Sequence, residues 1–116
     1  MKLTQKQAQL KHKFGAKLRV YKINKKEFGI VYIGVKKGHF EEFYNKKSTF
    51  IYYVIEGTGA FYLNGKKIPV KATNLIVIPP MTKIYYLGKM KMTLTTIPAW
   101  NAKNEVHVRF IKESVK

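Results

Sequence analysis

His12, His39 and His107 are the only imidazoles in the chain, and Glu27, Glu41, Glu42, Glu56, Glu105 and Glu113 are its only side-chain carboxylates. Cysteine and aspartate are absent. That removes disulfides, thiolate metal sites, cysteine nucleophiles and catalysis by an aspartate pair. Calcium or magnesium cages need several carboxylates together, and scattered glutamates do not provide one. The histidine spacing fits no metal motif, and no glutamate clusters with it along the sequence. Ser48 and Ser114 lack a Gly-x-Ser-x-Gly context, and Gly57 and Gly59 read as a strand turn rather than a phosphate loop. On this reading His39 is a surface or satisfied histidine.

Charge is the strongest compositional signal. Lys and Arg number 23 against six acids, for a formal charge of +17 over 116 residues, and Arg19 and Arg109 are the only arginines. Lysine is a flexible, hydrated point charge, and so dense a cationic surface attracts polyanions. Lys6, Lys11, Lys13 and Lys17 lie near the N-terminus; Lys25, Lys26, Lys36, Lys37, Lys46 and Lys47 form tandem pairs at expected turns; Lys89 and Lys91 project from one strand face. Aromatic residues interleave with them, notably Tyr85 and Tyr86 before Lys89. Cations beside flat rings suit unpaired RNA, through phosphate contact and base stacking.

The elements that must position these groups are strands. Residues 1–15 read as a basic arm, with Thr4 capping a short helix over 5–13 and Gly15 stopping it. From 16 to 116 the pattern is β in a single domain. Segments 29–35 and 49–55 are rich in β-branched and aromatic residues, and Asn64-Gly65 marks a tight hairpin. Leu75 to Ile78 reads as a buried strand stopped by Pro79-Pro80, and 89–95 alternates strictly, with Met90, Met92 and Leu94 on one face. Val106, Val108 and Phe110 form a last alternating strand. Many short strands with regular turns mean an all-β sandwich or barrel. Phe50, Ile55, Leu75, Ile78 and Leu94 are expected inside it. No apolar run approaches the roughly 18 residues of a spanning helix, and no secretory signal is evident, so the expected location is cytoplasmic.

The stretch from Gly38 to Gly88 resembles the cupin superfamily of jelly-roll β-barrels. Gly38 opens that family's first motif, Phe43-Tyr44-Asn45 stands in its His-x-His slot, Phe50 in its glutamate slot, and Gly57 closes it. Pro79-Pro80-Met81 and Ile84 stand in the second motif, with Asn64-Gly65 between the two. The resemblance implies a cupin-type jelly roll with a short basic N-terminal helix or arm. It also implies that the family's metal site is dismantled, because Phe43, Asn45, Phe50 and Ile84 replace all four ligands. No metal and no cofactor are therefore expected. Cupins often pair through N-terminal strands, which makes a homodimer an expectation. Two readings follow. The main one is a non-catalytic, metal-free polyanion binder, with RNA or a ribonucleoprotein as partner. The alternative is a metal-independent cupin enzyme or small-ligand binder acting on an anionic sugar or sugar nucleotide, with His39, Tyr44, Tyr53 and Tyr86 as barrel-mouth candidates.

Overall fold

The computed structural model describes residues 1–112, so Glu113 and Ser114 lie outside it. Nine strands carry the fold: β1 (Gln9–Lys13), β2 (Ala16–Tyr21), β3 (Gly29–Val35), β4 (Gly38–Asn45), β5 (Thr49–Leu63), β6 (Lys66–Lys71), β7 (Leu75–Ile78), β8 (Ile84–Ile97) and β9 (Glu105–Phe110). Strand β8 is the seam. One of its edges takes β3 over Met90–Thr96 and then β4 over Ile84–Leu87, while the other pairs with β5 along nearly its whole length. β2 and β1 extend the sheet beyond β3, β9 covers β4, and β6 and β7 cover the two halves of β5. The result is an all-β sheet curled into a cupin-type half-barrel.

The expected N-terminal helix is absent. A single 3-10 turn at Gln5–Gln7 is closed by the Thr4 N–H donating to Gln7 Oε1 at 2.8 Å, and β1 then pairs antiparallel with β2, with His12 opposite Lys17. Leu3, Leu10 and Phe14 are too thin a stripe to dock a helix, whereas strand pairing gives every backbone group on one edge a partner. The Asn64-Gly65 hairpin forms as its sequence requires, with φ of +51° and +81°.

Alternation decides the core. Phe50, Tyr52 and Val54 on β5, Ile76 and Ile78 on β7, and Met90, Met92 and Leu94 on β8 point inward and pack with Ile33, Phe43, Phe61, Ile84 and Tyr86. Ile55 and Leu75 do not, being 44% and 60% exposed. Leu75 lies opposite Tyr53 on the outer face, so β7 is half-buried rather than fully buried. An apolar run cannot show its own parity; the partner strand sets which face is inside. Between Val54 and Glu56 the β5–β8 register shifts, and Gly57 follows at φ +95°, where the two long strands bend together. Among the described residues no helix is long and apolar enough to cross a membrane.

Candidate active site

The curl leaves a cavity of about 310 Å³ inside the barrel, at the lower end of the range that holds small ligands. His39 comes from β4, Phe50 and Tyr52 from β5, Tyr86, Leu94 and Thr96 from β8, Lys11 and Lys13 from β1, and Glu105 from the start of β9. Trp100 enters from the segment after β8. That segment is fixed by Ser48 Oγ donating to the Pro98 carbonyl at 2.9 Å and by the Trp100 N–H donating to Thr96 Oγ1 at 3.1 Å.

His39 is only 3% exposed. Its Nδ1 lies 3.0 Å from the Glu41 carbonyl oxygen. A carbonyl can only accept, so Nδ1 carries the proton and Nε2 keeps its lone pair. The ring stacks on Tyr86 at 5.3 Å and 22° and meets the edge of Phe43 at 5.3 Å. Burial, then the Lys13 charge, pull its pKa down from 6.5 to about 4, against the opposing pull of Glu41. The imidazole is therefore neutral at neutral pH. Burial pushes the Tyr52 and Tyr86 phenols well above their ordinary value, so both stay protonated. Neither hydroxyl has a hydrogen-bond partner among the described residues, and both side chains line the cavity.

Charge around this neutral core is arranged in pairs. Lys13 Nζ bonds Glu105 Oε2 and stands 3.7 Å from Glu41 Oε1. Glu105 Oε1 accepts from the Trp100 indole at 2.7 Å. Glu41 Oε2 is 2.8 Å from His107 Nδ1. Its other oxygen is buried without a hydrogen bond, 3.9 Å from His39 Nε2. The expectation that histidines and glutamates lie apart is thus corrected. β4 places Glu41 two residues beyond His39 on the same inward face, and β9 brings His107 and Glu105 beside it through the Phe43–His107 and Asn45–Glu105 register.

The cupin fold implies a metal, and these side chains do not fit one. Phe43, Asn45, Phe50 and Ile84 are all buried. Three offer no donor, and Asn45 Oδ1 already accepts from the Lys47 and Ser48 N–H groups at 3.0 and 2.8 Å. Among the described residues no group of three or more His, Cys, Asp or Glu is placed to hold a metal ion.

The other candidates separate. Tyr85 and Tyr86 point to opposite faces: Tyr86 is buried in the cavity, while Tyr85 stacks on Tyr62 at 4.5 Å beneath Arg109. They cannot form one stacking platform. Tyr53 is 40% exposed on the outer face, and Tyr44 pairs with Val106 away from the cavity lining. Lys11 and Lys13 reach the cavity. Lys17, Lys36, Lys89 and Lys91 instead border an open concavity of about 700 Å³ elsewhere on the surface. Lys6, Lys25, Lys26, Lys37, Lys46 and Lys47 are exposed and line neither space.

No protein-family model and no curated protein sequence matches the chain. Solved structures do. Pac13, described as a unique nucleoside dehydratase with a β-barrel, is 44% identical, with 97% of this chain and 94% of that one covered and a TM-score of 0.96. Three variants of the Streptomyces protein, each with uridine, match at TM-scores of 0.95 to 0.96. Their replaced residues are a histidine and tyrosines 13 and 47 positions beyond it, the spacing of His39, Tyr52 and Tyr86 here. An RmlC-like cupin from Shewanella frigidimarina is 20% identical over 84% of this chain and 89% of its own, with a TM-score of 0.70, which shows the fold alone.

These likenesses overturn the reading of a non-catalytic RNA or ribonucleoprotein binder. A protein similar over nearly the whole chain is an enzyme acting on nucleosides, and the leaning against catalysis is corrected with it. The likenesses favour the alternative, a cupin enzyme or small-ligand binder, over the polyanion binder. Charge misled because it describes the outer surface, whereas His39, Tyr52 and Tyr86 line a cavity inside the barrel.

Proposed function

We propose that this chain, which belongs to the same cupin family as the dehydratase Pac13, is itself a nucleoside dehydratase that removes water from the sugar of a uracil nucleoside. The observation that carries the reading is the meeting of His39, Tyr52 and Tyr86 in one cavity, at the spacing of the residues replaced in the uridine-bound variants.

Elimination of water breaks a C–H and a C–O bond, forms a C=C bond, and requires a proton for the departing hydroxide. His39 Nε2 supplies the lone pair for the first step, because Nδ1 is held protonated by the Glu41 carbonyl. The imidazolium that forms lies near the Glu41 carboxylate, which offsets its charge in a site shielded from water. The same Nε2–H then donates to the leaving oxygen, which departs as water, and the imidazole is neutral again. The Tyr52 and Tyr86 hydroxyls, kept neutral by burial, hydrogen-bond sugar oxygens and aim the scissile C–H at Nε2. Lys13, anchored by Glu105, places a positive charge where electron density accumulates as the C–H bond breaks.

The test is a pair of measurements on the purified chain. Calorimetry with uridine should show saturable one-to-one binding, and mass spectrometry after incubation with a panel of uracil nucleosides should show a product lighter by one water. Absence of both uridine binding at millimolar concentration and any dehydrated product would sink the reading.

A further inference from the structure

We infer that Trp100 is the stacking platform for the nucleobase, so that the ligand lies with its sugar at His39 and its pyrimidine ring at the rim. This rests on the nucleoside reading and adds the orientation of the ligand and the residue that recognises its base. The orientation follows from the chemistry. Uridine carries its hydroxyl groups on the sugar and none on the base, so a water lost from such a nucleoside comes from the sugar. The sugar must therefore reach His39, Tyr52 and Tyr86, all of which are buried. The base then projects toward solvent, and the aromatic side chain waiting there is Trp100, 42% exposed on the lining of the same cavity.

The indole is built as a platform. Its ring N–H is held by Glu105 Oε1 at 2.7 Å and its backbone N–H by Thr96 Oγ1 at 3.1 Å. The ring is thus fixed at both ends before ligand arrives, which lowers the ordering cost of stacking. Lys11 Nζ covers one face, 5.7 Å from the ring centroid. An exposed lysine on a flexible stem can swing away, exchanging a cation–π contact for base stacking. Glu105 also bonds Lys13, so one carboxylate sets both the platform at the rim and the charge inside.

Trp100 is the only tryptophan in the chain, so its emission reports on this one position. Titrating uridine into the whole protein should change that emission saturably, with the dissociation constant that calorimetry gives. The Trp100→Leu variant should bind uridine about tenfold more weakly, while Trp100→Phe, which keeps a ring, should recover most of that loss. Uridine binding by calorimetry with unchanged emission, together with Trp100→Leu binding as tightly as the parent, would overturn the platform and leave the nucleoside reading standing. Failure of uridine to bind at all would overturn both.

Discussion

The His39→Gln variant is expected to dehydrate nucleosides about a thousandfold more slowly, the middle of the range for losing a positioned general base, while still binding uridine. Glutamine keeps hydrogen-bonding capacity near the Glu41 carbonyl but has no basic nitrogen. The deficit should appear in kcat rather than KM, since the lost interaction belongs to the transition state. Two pH signatures accompany it. In the parent protein kcat/KM should fall as pH drops toward about 4, where Nε2 becomes protonated. Stability should fall over a wider window. Between pH 6.5 and about 4 the unfolded chain binds a proton at His39 that the folded chain excludes, so lowering the pH favours unfolding. The full penalty is about 3 kcal/mol at the bottom of that window, is absent above pH 7, and should vanish in His39→Gln. Equal activity in parent and variant at pH 7 would remove His39 from the mechanism.

Gly57→Ala should be among the most damaging single-methyl additions to the fold, costing about 4 kcal/mol in urea denaturation. Gly57 sits at φ +95°, and a Cβ there would stand 2.1 Å from the Lys89 carbonyl oxygen and 3.0 Å from the Met90 Cα. Those are backbone atoms of β8 and cannot rotate away. The β5–β8 ladder that bends here is the seam on which Tyr52 and Tyr86 are mounted, so uridine affinity should fall with stability. Two controls separate the causes. Gly65 also has positive φ, +81°, but open space around it, so Gly65→Ala should cost about 1–2 kcal/mol. Gly34 has neither constraint, and Gly34→Ala should be within about 0.5 kcal/mol of the parent. Equal losses at Gly57 and Gly65 would show that backbone conformation alone matters and that the close strand approach does not.

The barrel was legible in the sequence because strand alternation, the Asn64-Gly65 turn and the spacing from Gly38 to Gly88 agree with one another. The site was nearly legible by the same rule. With Phe43, Phe50 and Ile84 taken as inward-facing, a period of two puts Tyr52 two residues beyond Phe50 and Tyr86 two beyond Ile84 on the same face. Counting back along β4 from Phe43 gives Glu41 and then His39. Tyr44 and Tyr53, the cavity candidates that the sequence suggests, have the wrong parity, and Tyr52 holds the inward position instead of its neighbour Tyr53. What sequence could not supply is the meeting of remote strands. Nothing local to Lys13, Glu105 or Trp100 announces that β1 and the segments around β9 form one rim, because those contacts depend on which strands flank β4. The helix expected over 5–13 failed for a related reason: propensity is a weak guide where a neighbouring strand offers a ladder.

The placement of the few acids has a colloidal consequence. Glu41 and Glu105 pair with Lys13 and His107 beside the cavity, and Glu42 pairs with Arg109, while the chain as a whole carries +17. Added salt screens exposed charges over about 10 Å at 0.1 M. It therefore relieves the mutual repulsion of surface lysines more than it weakens pairs whose carboxylates are buried. Ionic strength should for that reason firm the folded state rather than loosen it. In dilute buffer the same charge holds separate copies apart, keeping the protein dispersed at concentrations where a neutral barrel with apolar side chains such as Leu75 and Val77 on its outer face would cling to its neighbours.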